Sequence, residues 1–320
     1  MTYRAPSPKA LVTMTFSLVL IFSFSANCSR TEQTLANYIH NKNNRYQEVM
    51  PLRSIEKIQE KRLAIQTSVL KDFYNNPEAF INQIPKKERH YLFDAVVDPQ
   101  VMIRVGRLGD GGKWVCNPHL LGEHPIVYSF GVGDDISFDT DMAGFFGAQV
   151  YMFDPNPVVA KALPPLQEGY SCGAGHLFYF PIGLGPVSAE KGHEWDLVIK
   201  GKKCQAKSLL DITRSFNHNR IDILKIDIEG GEFAALDEII SSGALTSLDV
   251  KMLLVEFHFW NSTLFRNFVD LIGRLTENNY LIYRKEFNAH NIKCAEYAFV
   301  KASFLNSGQT EEPGGPKANQ

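Results

Sequence analysis

The chain has 320 residues, a formal net charge of −2 and 44% hydrophobic residues. A chain of this length can bury one core of about 200 residues or more, and such a core needs no disulfide or metal. The near-neutral charge, without a lysine- or arginine-rich stretch, argues against a nucleic-acid partner, because proteins that bind a phosphate backbone carry a basic face.

The first residues differ from the rest of the chain. Arg4 and Lys9 precede an uncharged, apolar stretch from Ala10 to Ala26. This order is typical of a secretory signal peptide, with cleavage after Ser25, and an uncleaved signal-anchor is the alternative. We assign residues 1–27 to this segment and expect a protein of the secretory pathway. It is either secreted or held in the endoplasmic reticulum or Golgi as a type II membrane protein.

Cysteines and glycosylation triplets bear on this compartment. Four cysteines lie in the globular part of the chain: Cys116, Cys172, Cys204 and Cys294. In an oxidising lumen they allow three pairings, and buried free thiols are the alternative. None of them is spaced as C-x-x-C, so a thiolate zinc site is not predicted. Asn27 and Asn261 each begin a weak N-glycosylation triplet.

Residues 28–95 form a polar segment between the apolar start and the expected domain. From Ser54 to Phe73, apolar residues recur among charged ones, which predicts an amphipathic helix in a stem or N-terminal extension. At the other end, residues 306–320 are rich in glycine, proline and polar residues, and we expect them to be disordered. The functional domain is therefore expected over residues 96–305.

Within that domain, short apolar runs alternate with helical patterns. Strands are predicted over residues 126–130, 149–153, 177–181, 221–228, 252–257, 281–284 and 297–301, and helices over 232–241 and 264–278. Apolar runs separated by helices indicate a parallel sheet with helices on both faces, which is a doubly wound α/β fold. Ligands of such a sheet bind beyond the carboxyl ends of the strands, where the strand order reverses.

Two of these strand ends indicate a nucleoside site. Gly131 and Gly133 follow the first strand, and Asp134 and Asp135 come directly after them. Helix N-termini attract phosphates, but an acidic pair suits a cationic ligand that carries sugar hydroxyls. Asp154 ends the second strand about 20 residues later, where a carboxylate can accept hydrogen bonds from a ribose. Taken singly, each feature is also compatible with a tight turn.

Two further strand ends carry titratable side chains. Asp227 and Glu229 lie at the end of the fourth strand, and Glu256 and His258 lie at the end of the fifth. Because residues two apart share a face, each pair is expected on one side of the sheet. Two neighbouring carboxylates are costly to bury without a cation or ligand, and histidine is suited to moving a proton near neutral pH. Glu232 is interpreted as a charge at a helix start.

Seven segments carry a resemblance to a known family: GDGGKWVC (109–116), YSFGVGDD (128–135), FDPNP (153–157), FPIGLG (180–185), IDILKIDIEGGEF (221–233), LLVEFH (253–258) and CAEYAFV (294–300). In this order they resemble the FkbM-type methyltransferases, and most closely their animal methyltransferase-like branch. The resemblance implies a Rossmann-like class I methyltransferase fold with S-adenosylmethionine as cofactor. By analogy it also implies methylation of a hydroxyl, and the compartment favours a glycan or small-molecule acceptor.

The resemblance also implies which residues hold the cofactor. Gly131, Gly133 and Asp134 would line its methionine part. Asp154 would hold the ribose, and Leu184, in the stretch after the third strand, would lie against the adenine.

The same resemblance places Asp227, Glu229 and His258 at the methyl group and the acceptor. His258 is the first candidate for the base that removes the acceptor proton. Asp227 or Glu229 is the second, alone or through a divalent ion, although no pattern in the sequence demands a metal. The turn at residues 109–112 is either a lid or a hairpin without ligand contact.

Other classes of function are weaker candidates. A catalytically inactive member of the fold that binds a partner in the lumen is the main alternative, but it need not retain the acidic strand ends. Asp134 and Asp135 argue against a nucleotide-sugar or dinucleotide enzyme. The apolar start and the lack of a basic patch argue against a cytosolic RNA methyltransferase. The expected partners are therefore a small-molecule or glycan acceptor and, if residues 1–27 stay attached, a membrane.

Overall fold

The structure is a computed structural model that describes residues 52–85, 89, 92–109, 111–163, 169–185, 194–199, 201–288, 291 and 293–306. The predicted signal or anchor segment and the tail from residue 307 lie outside the described residues. The chain divides into two units, Met1–Glu60 and Lys61–Gln320. Among the described helices, none combines the length and the apolar character needed to cross a bilayer.

The predicted amphipathic helix is α1 (Leu52–Asn75), and α2 (Pro77–Gln83) follows it. Asn76 is the residue between the two helices, and its side chain accepts a hydrogen bond from Ala79 N at 3.1 Å. This bond satisfies one of the free N–H groups at the start of α2. In the second unit, Leu70 and Phe73 of α1 are buried in a hydrophobic core.

The remaining elements alternate strands with helices. In chain order the strands are β1 (Met102–Val105), β2 (Lys113–Cys116), β3 (Ile126–Phe130), β4 (Gln149–Phe153), β5 (Tyr170–Cys172), β6 (Gly175–Phe180), β7 (Ile182–Leu184), β8 (Glu194–Ile199), β9 (Lys202–Lys207), β10 (Ile223–Ile226), β11 (Met252–His258), β12 (Tyr280–Phe287) and β13 (Cys294–Lys301). The helices are α3 (Ser137–Phe146), α4 (Pro157–Ala162), α5 (Leu209–Ser215), α6 (Glu232–Ser241), α7 (Ala244–Ser247), α8 (Ser262–Glu277) and α9 (Ala302–Asn306).

An eight-stranded sheet in the order β12-β13-β11-β10-β3-β4-β6-β5 forms the centre of the second unit. The five strands from β11 to β6 are parallel, whereas β13, β12 and β5 pair antiparallel. The chain leaves β3 toward β4 and β6, and later returns to the other side of β3 as β10 and β11. The order therefore reverses between β3 and β10, and the doubly wound α/β fold is confirmed.

Hydrophobic side chains cover both faces of this sheet. Phe233 of α6 and Phe268 of α8 belong to the core on one face, while Phe138 of α3 and Val115 of β2 belong to the core on the other. All four residues of β10 are buried. A strand buried on both faces has no polar face, and this is why β3, β4 and β10 are recognisable as predominantly apolar runs with one polar residue each.

β1 and β2 pair in an antiparallel hairpin, as the glycines at residues 109–112 led us to expect, and β2 packs against β11 and β13. Other elements were not predicted. A separate sheet in the order β7-β9-β8 lies between β6 and α5 in the chain. The two longer strands, β8 and β9, carry several charged and polar residues, and β7 has only three residues, so their sequence pattern is weak.

The described cysteines carry no disulfide. Cys116, Cys172, Cys204 and Cys294 are free thiols, and Cys116 and Cys294 are buried. For these four cysteines, the structure therefore agrees with free thiols and not with disulfide pairing.

Candidate functional site

The turn after β3 packs directly against the turn after β10. Gly131 has a φ of +75°, a conformation that side chains other than glycine rarely adopt. A Cβ atom at this position would lie 1.5 Å from the carbonyl oxygen of Asp227. Gly131 N donates to Phe153 O at 2.9 Å, and Asp227 N donates to Phe130 O at 3.0 Å. Backbone contacts thus hold the ends of β3, β4 and β10 together.

Asp154 lies at the end of β4, beside this turn. Its carboxylate is largely buried, with 7% of the residue exposed. Oδ2 accepts a hydrogen bond from Gly133 N at 3.0 Å, and Oδ1 accepts one from Asn156 N at 2.8 Å. Each carboxylate oxygen keeps a further lone pair. A Cβ atom on Gly133 would meet nothing within 4 Å, so the turn is open on this side.

The structure brings most of the predicted cofactor residues together. Gly131, Gly133 and the exposed Asp134 share the turn after β3, and Asp154 is bonded to that turn. Leu184 is different, because it ends β7 in the three-stranded sheet and is buried in a hydrophobic core. Its contact with an adenine stays a prediction.

His258, at the end of β11, is oriented by Glu232. Glu232 is fully buried at the start of α6 and accepts hydrogen bonds from His258 N at 2.7 Å and Gly230 N at 2.8 Å. Its Oε1 also lies 3.2 Å from His258 Nδ1. The opposite ring nitrogen, Nε2, lies 4.0 Å from Asp227 Oδ1 and 3.6 Å from Glu229 Oε2. The three predicted catalytic side chains therefore lie close together. Glu232, predicted only as a charge at a helix start, also fixes the orientation of His258.

The charge state of His258 follows from these neighbours. Burial lowers the pKa of His258, but the hydrogen bond to Glu232 and the charges of Glu232, Asp227 and Glu256 outweigh burial and raise this pKa to about 9. Near neutral pH the imidazole therefore carries a proton on both nitrogens and acts as a donor.

Glu229 reaches the site through a turn and not through strand alternation. β10 ends at Ile226, and Glu229 adopts a left-handed backbone with φ of +57°. The side chain of Glu229 is 80% exposed. Trp260 Nε1 donates to the carbonyl oxygen of Glu229 at 3.3 Å, and the Trp260 ring lies 5.3 Å from the ring of His258. The expectation that β10 itself presents both acids on one face is therefore wrong, although both acids reach His258.

A buried lysine that was not predicted from the sequence completes the site. Lys113 of β2 is only 4% exposed, and its Nζ lies 2.6 Å from Glu296, 3.4 Å from Asp227 and 3.8 Å from Glu256. Glu256 and Glu296 are register partners on β11 and β13. Burial lowers the pKa of Lys113, but these carboxylates outweigh it and raise the pKa above its usual value. The only signal in the sequence is a lysine within a short run of apolar residues.

The acids of the site differ in their pKa. Burial raises the pKa of Asp227, but Lys113 and Lys225 outweigh it and hold this pKa below its usual value. Burial and the charge of Asp227 raise the pKa of Glu256 to about 7. Burial also raises the pKa of Glu296, against the opposing effect of Lys113. The site thus concentrates negative charge at the end of β10 and along β11 and β13, and it favours a cationic ligand.

Comparison with known proteins agrees with this architecture. A family model described as a methyltransferase domain matches residues 54–301. The probable methyltransferase-like protein 24 of Homo sapiens is 25% identical over 196 residues, which are 57% of this chain and 47% of that protein. The protein of the same name from Rattus norvegicus is 25% identical over 140 residues, which are 42% of this chain and 33% of that protein. The matches thus span less than half the length of either relative.

Among solved structures, one match is to the fibrillarin pre-rRNA processing protein of Methanococcus jannaschii. It has a TM-score of 0.35 and 10% sequence identity, and the match covers 56% of this chain and 66% of that chain. The family assignment depends on the family model, which covers more than half of this chain and includes every strand of the eight-stranded sheet. This chain therefore belongs to the family of methyltransferase domains.

Proposed function

We propose that this protein transfers a methyl group from S-adenosylmethionine to a hydroxyl oxygen of a glycan or small molecule, as an FkbM-type enzyme of the secretory pathway. The observation that carries the proposal is the convergence of Asp227, Glu229 and His258 beside the glycine turn, where the strand order reverses and ligands of this fold bind. The seven FkbM-like segments support the enzyme type, and the apolar start within residues 1–27 supports the compartment.

The strand ends fit a cationic nucleoside. Family and fold imply S-adenosylmethionine as the methyl donor, and when bound it supplies a methyl group on a positively charged sulfur. Asp154 keeps lone pairs for ribose hydroxyls, next to the open side of Gly133. Asp135 Oδ2 is buried and has no hydrogen-bond partner among the described residues, although Arg107 Nη1 forms an ion pair with it at 3.8 Å. Negatively charged acceptors favour a sulfonium over a phosphate group.

The side chains of the protein must hold the acceptor oxygen in place and remove its proton. His258 is the first candidate for the base from sequence, but its pKa of about 9 leaves the ring protonated near neutral pH. Asp227 is engaged by Lys113. We therefore assign the proton to Glu229, whose exposed carboxylate lies 3.6 Å from His258 Nε2, and we assign to His258 the positioning of that carboxylate.

Binding and transfer can be tested separately. Calorimetric titration of the purified chain with S-adenosylmethionine tests the cofactor, and a failure to bind would overturn the proposal. Transfer is tested by incubating the protein with methyl-labelled cofactor and fractions of glycans and small metabolites, followed by mass spectrometry. We expect a methyl ether product, formed at least about 100-fold more slowly by Glu229→Gln with little change in cofactor affinity. Cofactor binding without a labelled product in any fraction would favour the inactive binding protein.

A further inference from the structure

Three chemically different metal-binding side chains meet on one face of β11 and β13. Glu256 and His258 are two residues apart on β11, and Cys294 of β13 is the register partner of His258. One donor atom from each residue lies within 4.8 Å of the donor atoms of the other two, and all three residues are buried. The neighbouring positions Phe257 and Ala295 point into the hydrophobic core on the opposite face. Strand pairing therefore brings an oxygen, a nitrogen and a sulfur donor together.

The surroundings of these donors are those of a metal site. Glu232 Oε1 lies 3.2 Å from His258 Nδ1, which leaves Nε2 to bind a cation, and a carboxylate on the second ring nitrogen is the usual partner of a metal-bound histidine. Asn288 Nδ2 donates to Glu256 Oε1 at 3.0 Å. Among the described contacts, the buried thiol of Cys294 has no hydrogen-bond partner, so nothing in the described part of the chain occupies its sulfur.

The charges around this cluster favour a cation. Five carboxylates lie in or around it, from Asp227, Glu229, Glu232, Glu256 and Glu296. They face the ammonium groups of Lys113 and Lys225 and the imidazole of His258. Lys113 Nζ lies 3.8 Å from Glu256 Oε2. A carboxylate oxygen has more than one lone pair, so this ion pair and a metal bond are compatible.

From this geometry we propose that Glu256, His258 and Cys294 bind a divalent cation of the zinc type. Thiolate and imidazole ligands select zinc over magnesium or calcium, which prefer oxygen ligands alone. Donor atoms around zinc lie about 3.3–3.8 Å apart, so the site closes by about 1 Å on binding. The thiol proton passes to solvent, and the metal replaces the proton on His258 Nε2. In the metal-bound form the cation, and not the ring N–H, therefore faces and positions the carboxylate of Glu229.

The role of this cation rests on the proposed function. Three protein ligands leave a fourth zinc position for an oxygen from solvent or substrate. The cation lies at β11 and β13, and β13 is about 14 Å across the sheet from the glycine turn at β3, because neighbouring strands lie about 4.8 Å apart. In the proposed function the acceptor occupies this side of the site. An acceptor hydroxyl bound there gives its proton to Glu229, while its oxygen bonds to the methyl carbon and the carbon–sulfur bond breaks.

Cobalt substitution tests the site directly. The full chain is treated with chelator and titrated with Co²⁺, and the absorption of a thiolate–cobalt bond is recorded. We expect one equivalent of Co²⁺ to bind, Zn²⁺ to displace it, and the thiolate absorption to vanish in Cys294→Ser. Cys116→Ser is the matched control, because Cys116 is also a buried free thiol and it lies outside the cluster. Glu232→Gln should weaken cobalt binding by about 10–100-fold, since it removes the partner of the ligating histidine.

The outcomes separate this inference from the proposed function. If no stoichiometric cobalt binds, or if the thiolate absorption survives in a folded Cys294→Ser variant, the metal site is refuted, whatever the cofactor affinity. If cobalt binds as expected but S-adenosylmethionine does not, the metal site stands and the proposed function fails. Thermal unfolding followed by circular dichroism confirms that each variant is folded, and a Glu256→Gln variant provides a second test should Cys294→Ser not fold.

Discussion

Replacing Lys113 tests whether its buried ammonium and the surrounding carboxylates stabilise the fold as one coupled charge network. Lys113→Met keeps most of the side-chain volume but removes the ammonium that lies 2.6 Å from Glu296, 3.4 Å from Asp227 and 3.8 Å from Glu256. Removing one partner of a buried ion pair costs about 3–5 kcal/mol, because the remaining charge is buried without compensation. We expect Lys113→Met to lose about this amount of free energy of unfolding.

Glu296→Gln is the matching change at the nearest carboxylate. Lys113 then keeps Asp227 and Glu256 as partners, so we expect a smaller loss of about 1–2 kcal/mol. Glu296→Gln also removes one of the charges that Lys113→Met leaves without compensation. The double variant should therefore lose about 1–3 kcal/mol less than the sum of the two single losses, which is a coupling typical of residues in one charge network.

Urea unfolding of the four proteins, followed by circular dichroism and by tryptophan fluorescence, measures these free energies. Losses that add within about 0.5 kcal/mol would show that Lys113 and Glu296 act independently and would refute the reasoning. Arg62→Met is the matched control, because the ion pair of Arg62 with Asp98 is exposed. Exposed pairs contribute less than about 1 kcal/mol, and an equally large loss in this variant would also contradict the argument from burial.

Other predictions concern the cofactor, the turn after β10 and the compartment. Asp154→Ala should weaken S-adenosylmethionine binding by at least about 1 kcal/mol in calorimetry, and unchanged affinity in a folded variant would remove Asp154 from the site. In urea unfolding, the free energy of unfolding of Glu229→Gly should stay within about 0.5 kcal/mol of the parent value, because glycine readily adopts the φ of +57° found at this position. Glu232→Gln should lose about 1–3 kcal/mol of free energy of unfolding, because it disturbs the buried hydrogen bonds from the backbone N–H groups of Gly230 and His258. Equal losses in Glu229→Gly and Glu232→Gln would contradict this reasoning. A tagged full-length chain should enter the endoplasmic reticulum through residues 1–27, and a cytosolic chain without glycans would contradict it. Asn261→Gln should not alter glycosidase sensitivity, because Asn261 Oδ1 caps α8.

Much of the central sheet could be predicted because its strands are buried on both faces. β3, β4 and α6 have the predicted bounds, since each apolar run is bordered by glycine, proline or acidic residues. The strand predicted over residues 221–228 is shorter and spans Ile223–Ile226, because the chain turns after it at Asp227. The hairpin turn between β1 and β2 was expected, but the bounds of these two strands were not predicted. β5 and the separate sheet β7-β9-β8 were missed, since strand preference depends on neighbours that the sequence does not display.

Some residues of the candidate site could also be grouped from the sequence, whereas others could not. Gly131, Asp154, Asp227 and His258 could be grouped from sequence, because the carboxyl ends of neighbouring parallel strands meet at one edge of the sheet. Glu232 was assigned a local task at the start of a helix, yet it accepts the backbone N–H of a residue 26 positions away. That contact needs α6 and β11 side by side, which no local pattern reveals.

By itself the sequence determined the doubly wound sheet, the order of its motifs and the acidic character of its strand ends, because periodicity and composition are local properties. Only the tertiary structure decided which charges share a site. The antiparallel insertion of β13 between β11 and β12 brings Cys294 beside His258 and Glu296 beside Glu256, and the hairpin of β1 and β2 places Lys113 among the acids. The charge on His258 follows from these contacts, since a pKa depends on burial and on neighbouring charges, and both are set by residues distant in the chain.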